Sequence, residues 1–425
     1  MTATVSLPPE LYALFLQHIL RPSHIATCCL VNGVFYAFAA PLLFENISIF
    51  AWQKGAKARV TCLLRTLAGS QRLSGYVRRL ELRDFPLLMG PPAVEMDSYC
   101  QQALGNLTSL RSCSWTRDGS FSNFVIQSLA RLDSLQELEF NGHSGIEYNP
   151  KHLLEIKNLV KLTVIMPDRE TATILRRWLE LLAPTLQSLS LICKDLLHLA
   201  SAVQQTYSRP ALLRCLTTLT VTFISYHDSP IVSLPAIQAL IAQAPCLTAF
   251  NLHPPPPATK AKLPESFVSH LVDSHGSRLR HLAINRVLLG PREFTIVCTG
   301  LRELEQLYIT LLDADMGTIA DELGKLPKLW AVHLTFPFAL DAAAILGMSN
   351  EDEFEDDDSD NAAYEKAYAG IAKACPQLRE FGVQNRVWQV ERICTRDEHD
   401  QWSTTIRLGR RDNPAVAEQF LIMRI

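Results

Sequence analysis

Eleven short segments of the form apolar-x-apolar recur between residues 80 and 383, and nothing else in the chain restricts its fold as tightly. They run Leu80/Leu82, Cys113/Trp115, Leu138/Phe140, Leu162/Val164, Leu189/Leu191, Leu219/Val221, Phe250/Leu252, Leu282/Ile284, Leu307/Ile309, Val332/Leu334 and Phe381/Val383. Successive first members lie 33, 25, 24, 27, 30, 31, 32, 25, 25 and 49 residues apart, so only the last interval breaks the period. Side chains two residues apart share one face of a strand, and each pair therefore predicts a short strand turned toward a core. Segments between the pairs, such as Ile174 to Leu182 and Ile237 to Ile241, carry helical spacing instead.

One strand and one helix repeated at this interval is the period of a leucine-rich repeat, and stacked units of that kind predict a horseshoe. The expected fold class is α/β, a solenoid of about eleven strand-helix units behind an N-terminal helical block. A chain of 425 residues exceeds a usual single core, but a solenoid grows by stacking, and 48% hydrophobic residues suffice for one continuous core. Alternation places the residues flanking each pair on the concave surface: Glu81 and Arg83, Glu137 and Glu139, Asn251 and His253, His281 and Asn285, Tyr308, and His333. Of these, Arg83, Glu139, Asn251, His281, Tyr308 and His333 are the candidate contacts to a protein target.

The first 50 residues read differently. Pro8 and Pro9 suit a helix start, and Leu11, Leu14, Phe15 and Ile19 recur along one helical face. Ser23 is a candidate N-cap for a second helix with Ile25, Cys28 and Cys29, and Asn32 for a third with Phe35, Phe38 and Ala39, which Pro41 is expected to stop. Three helices in roughly 40 residues bury little, so their apolar excess calls for a partner. The wording Leu7-Pro8-Pro9-Glu10-Leu11, Cys28-Cys29-Leu30-Val31-Asn32 and Pro41-Leu42-Leu43-Phe44 resembles an F-box of the divergent fungal type, with Phe35 near the place of a tryptophan common in other families. That resemblance implies docking to an Skp-type adaptor, and through it to a cullin, by Leu7, Pro8, Leu11, Leu14, Ile19, Leu30, Val31, Phe35 and Leu42. It further implies that the repeats select a protein target for ubiquitin transfer. The alternative keeps the same fold but makes the block a cap and the chain an interaction scaffold.

The expected organisation is a helical domain over 1–50, a basic helical linker over 51–75, repeats over 76–385 with an acidic insert at 349–361, and a cap over 386–425. Net charge is −3, which gives no reason to expect nucleic acid, yet it hides local asymmetry. Residues 54 to 83 carry eight bases against the single acid Glu81, whereas 351 to 360 carry eight acids and no base. Both runs read first as solvated surface. Ser349 precedes the acids in a pattern suited to phosphorylation, Pro254 to Pro257 reads as a stiff surface loop, and Pro414 to Ile422 as a closing helix.

Eleven cysteines without a C-x-x-C pair read as reduced thiols, with Cys28, Cys62, Cys113, Cys193, Cys246 and Cys298 in apolar stretches expected in the core. No secretory start opens the chain and no apolar run is long enough to span a bilayer, so an intracellular protein without a membrane partner is expected. Nucleotide, zinc-protease and serine-hydrolase motifs are absent, so the expectation is a non-catalytic protein without cofactor. Asp397-Glu398-His399-Asp400 is the one dense group of potential metal ligands, and four adjacent side chains on a turn cannot converge on one ion; no metal is expected.

Overall fold

The computed structural model describes residues 8–143, 148–193, 213–224, 234–253, 261–312, 315–337, 368–384, 386–396 and 402–410. Ser349, the acidic insert, Pro254 to Pro257, Asp397 to Asp400 and the expected closing helix lie outside the described residues. The chain divides into two compact units, Met1–Leu186 and Gln187–Ile425.

Unit one begins with α1 (Pro9–Gln17), α2 (Pro22–Cys29) and α3 (Gly33–Glu45). Pro22 opens α2 at its first helical position, where a missing N–H costs nothing and the fixed φ suits the helix. Ser23 therefore lies inside the first turn rather than capping it, and Arg21 precedes the helix without a side-chain bond. Asn32 does cap α3, accepting from the Val34 and Phe35 amides at 3.0 and 2.9 Å. Pro41 does not end α3, which continues to Glu45. The carbonyl that Pro41 cannot engage belongs to exposed Ala37, where water reaches it.

Strand β1 (Asn46–Ile49) follows α3 directly; then come α4 (Ala56–Gly69), α5 (Gln71–Ser74), β2 (Arg79–Leu82), α6 (Pro91–Asn106), β3 (Ser112–Trp115), α7 (Asn123–Ala130), β4 (Glu137–Asn141), a 3-10 turn (Pro150–Glu155), β5 (Lys161–Ile165) and α8 (Arg169–Leu182). Strands β1 to β5 pair in chain order, all parallel. The register aligns Ile47, Leu80, Cys113, Leu138 and Leu162 in one row and Ile49, Leu82, Trp115, Phe140 and Val164 in the next. Both rows are buried save half-buried Ile47. Ile47/Ile49 is thus a twelfth apolar pair, and the stretch expected as a linker holds α4 and α5, the helical half of the first repeat.

Unit two contains β6 (Ser188–Cys193), β7 (Thr218–Phe223), α9 (Leu234–Ala242), β8 (Ala249–His253), α10 (Glu265–His275), β9 (His281–Leu289), α11 (Pro291–Gly300), β10 (Gln306–Leu311), α12 (Met316–Leu323), β11 (Ala331–Thr335) and β12 (Glu380–Val383). These strands are also parallel and in chain order. The sheet then reverses into an antiparallel hairpin, β13 (Arg386–Arg396) and β14 (Trp402–Arg410). Strand β9 is bulged between Ile284 and Leu288, and Arg286 takes a left-handed φ of 62° there. Among the described residues, all eleven predicted pairs fall on strands with their side chains buried. The cysteine expectation holds for Cys113, Cys193 and Cys298 but not for exposed Cys62 and Cys246 or half-buried Cys28. On α4 the inward face is Val60, Leu64 and Leu67, which turns Cys62 outward.

Candidate functional site

Two surfaces carry the predicted site residues, and they differ in what they leave free. In the helical block, Leu16, Ile25 and Ala39 form the buried centre, with Ile19, Cys28, Cys29, Phe35, Phe38, Leu42 and Leu43 packed around it. Tyr12 joins them through rings 5.0 Å from Phe35 and 6.0 Å from Phe38. The inward face of α1 is therefore Tyr12 and Leu16, followed by Ile19 just beyond the helix, which leaves Leu14 and Phe15 exposed rather than lining the core as their spacing suggested.

Of the predicted adaptor contacts, Leu14, Leu30 and Val31 are exposed apolar side chains, and Pro8 is exposed as well. Leu11 is half-buried, while Ile19, Phe35 and Leu42 hold the block together. Leu7 lies outside the described residues. Sequence reasoning missed Phe15 as a surface residue, and Leu20, Val34 and Tyr36 altogether; Leu20 and Leu30, each just past a helix end, are 91% and 86% exposed. One small block thus leaves an unusual number of large apolar side chains in water.

The second surface is the sheet face away from the helices, and it is largely closed upon itself. In unit one, Arg83 lies between β2 and β4, its Nη1 and Nη2 donating to the two Glu139 carboxylate oxygens at 2.6 and 2.8 Å and its Nε to Glu81 at 2.7 Å. Ser48 donates to Glu81 at 3.0 Å and Ser114 to Glu139 at 2.9 Å. Arg79 donates to Glu137 at 3.2 Å. Burial works against the Arg83 charge, but the bonds and charges of Glu139 and Glu81 outweigh it and raise the pKa.

In unit two, the His281 ring nitrogens lie 2.6 Å from Gln306 Oε1 and 2.8 Å from Asn251 Oδ1, and Asn251 in turn donates to Thr220 at 3.0 Å. Tyr308 stands between His281 and His333, with ring centroids 5.3 and 6.4 Å away, and is only 2% exposed. His333 Nε2 meets the Gln384 carbonyl at 2.8 Å. Desolvation, reinforced by Arg286 and His281, lowers the His253 pKa to about 4; burial also lowers those of His281 and His333 and raises that of Tyr308.

The six predicted target contacts are thus brought onto the expected face, but Arg83, Glu139, Asn251, His281 and His333 spend their polar atoms on one another or on neighbours, and Tyr308 is buried. No group of three or more metal-ligating side chains converges among the described residues. Nor is any helix among them long and apolar enough to cross a membrane.

No protein-family model matches the chain, and no curated protein matches it. Among solved structures it is similar to the Rad7 and Elc1 complex of yeast, at 14% identity over 89% of this chain and 87% of that one, with a TM-score of 0.39. It is also similar to an internalin of Listeria monocytogenes, at 14% identity over 72% and 96%, with a TM-score of 0.30. Strand register and burial define the class of the chain as an α/β strand-helix repeat protein.

Proposed function

We propose that this chain is the target-binding subunit of an Skp-cullin-F-box ubiquitin ligase. The helical block docks to the Skp-type adaptor, and the repeats hold a protein target near a ligase core that supplies the chemistry. The observation that carries this reading is the exposed apolar surface of residues 14–36, placed on a block whose three-residue buried centre is complete without it. Docking of that surface removes several leucine-sized side chains from water, each contributing about 1.5–3 kcal/mol when fully buried. Residues 8–45 serve as the docking domain, the parallel strands with their helices as the target array, and the β13–β14 hairpin as the end cap. The mechanism is proximity, with no group of this chain taking part in bond making.

A direct test is capture of purified Skp-type adaptor by the full chain and by a Leu20→Ser, Leu30→Ser, Val31→Ser variant. All three positions are exposed, so the variant keeps its fold. The reading predicts saturable capture by the natural chain and at least a tenfold loss in the variant. Equal capture by both, or none by either, sinks it.

A second reading has its own support. Glu45 ends α3 and Asn46 begins β1 without an intervening turn, while the Arg78 amide donates to the Glu45 carbonyl at 2.9 Å and its guanidinium meets the Glu45 carboxylate at 3.2 Å. A block fused to the first strand in this way caps the repeat core, and a scaffold needs nothing more from it. Failure of adaptor capture by a folded natural chain favours this role.

A further inference from the structure

The loops that follow β1 and β2 leave the sheet on the same edge, because the two strands are parallel with Ile49 opposite Leu82 and the Arg83 amide donates to the Ile49 carbonyl at 2.9 Å. Both loops have anchored bases and apolar tips. In the first, Trp52 is exposed and stacks on Phe50 at 4.3 Å, which fixes one ring face and leaves the other to solvent. In the second, Asp84, Phe85 and Pro86 are buried, with Phe85 against Trp115 at 5.1 Å, and the chain then exposes Leu87, Leu88 and Met89, the last at 88%. Val94, in the first turn of α6, is also exposed.

The sequence around the first tip carries one sign of charge. No acid occurs between Glu45 and Glu81, while Lys54, Lys57 and Arg59 lie in the first loop and the opening turn of α4. Elsewhere in this stretch Arg65 is matched with Glu95, Arg78 with Glu45 and Arg79 with Glu137, while Arg72 donates to the Tyr76 hydroxyl and lies over the Tyr36 ring. Lys54, Lys57 and Arg59 form no ion pair among the described residues, and they are the ones nearest Trp52 in sequence. An apolar surface bordered by unmatched cations fits a partner that is both acidic and apolar.

We propose that this edge docks an acidic protein segment carrying large apolar side chains, with its carboxylates over Lys54, Lys57 and Arg59 and its apolar side chains against Trp52 and Leu87 to Met89. An anionic bilayer has the same two chemistries but fits less well. Glu95 next to Val94, 60% exposed, and Asp118 in the loop after β3, 62% exposed, emerge at the same edge and would face a uniformly negative plane. A peptide can place its charges selectively. The binding stands without the ligase reading; only the segment's role as part of a target rests on it.

The test selects displayed random dodecapeptides against the full chain and measures the winners by fluorescence anisotropy. The expected winners combine Asp or Glu with Leu, Phe or Trp. Their affinity falls at least tenfold in Lys54→Glu/Lys57→Glu and in Leu88→Ser/Met89→Ser, and is unchanged in Leu30→Ser/Val31→Ser, where only adaptor capture is lost. Loss of adaptor binding by the natural chain with peptide binding intact removes the ligase reading and leaves this one. Selection of no acidic-apolar class, or winners that bind both edge variants as well as the natural chain, overturns it. So does equal binding of a winner with every Asp and Glu replaced by Lys, a measurement that needs no variant chain. Sedimentation with phosphatidylserine vesicles, or a dimer, that is lost in both edge variants while no peptide is selected assigns the edge to a bilayer or to a second copy instead.

Discussion

Acid should destabilise unit two through His253, and the size of the effect can be worked out. His253 is held neutral between β8 and the β9 bulge, where Asn285 reaches its Nδ1 at 3.4 Å and both Arg286 and His281 oppose a charge on it. Its folded pKa of about 4 lies below its ordinary 6.5, so the unfolded chain takes up the proton first as pH falls. The contribution to stability is fully present above 6.5 and is lost as pH drops toward 4. Linkage over that interval gives a loss of about 2 kcal/mol at pH 5 and about 3 kcal/mol at pH 4. His281 and His333, also depressed by burial, act in the same direction. Carboxylates titrate in this range too, so the informative quantity is a difference between chains. His253→Gln keeps a polar group of similar reach that does not titrate, and its urea-unfolding free energy should fall less steeply with acid than that of the natural chain. The two curves, set equal at pH 7.5, should separate by about 2 kcal/mol at pH 5. Parallel curves between pH 7.5 and 4.5 would refute the account of how His253 is buried.

Arg83→Met strands two half-buried carboxylates and should cost about 3 kcal/mol in urea unfolding, most of it recovered when Glu81→Gln and Glu139→Gln are added. Gly382→Ala would drive a Cβ into the His333 imidazole and should cost about 1–3 kcal/mol; a double-mutant cycle with His333→Ala should show strong coupling. Arg392→Met removes donors to the Leu378, Ala372 and Cys375 carbonyls at 2.6, 3.0 and 2.8 Å, and faster amide exchange across 368–374 and β13 should report it.

The repeat was legible because a period of two survives any loop length, and every predicted pair marks a strand. Ile47/Ile49 escaped because α3 runs into β1 with no turn residue to punctuate it. The phase of α1 was unreadable for a related reason: Leu14, Phe15 and Leu16 are contiguous, so any of them can serve as the inward residue, and the ring contacts of Tyr12 decide the matter. For the predicted target contacts, alternation correctly assigns the sheet face. It says nothing about bonds between residues 56 positions apart such as Arg83 and Glu139, which depend on strands stacking about 4.8 Å from one another. A polar residue in the right place for recognition is then also in the right place to satisfy its neighbour.

That conflict has a consequence for where recognition can reside. A row of side chains already paired across strands offers a partner little, since a new bond must first break an old one and leave a half-buried charge behind. The loop after β1 is different, because Lys54 and Lys57 near it form no ion pair among the described residues. In unit one the exposed side chains of Trp52, Leu88 and Met89 lie on the loops after β1 and β2, with Lys54 and Lys57 close to Trp52 in sequence. Substitutions on the strand face, such as Arg83→Met, should therefore change stability more than binding, and those on the loops should do the reverse.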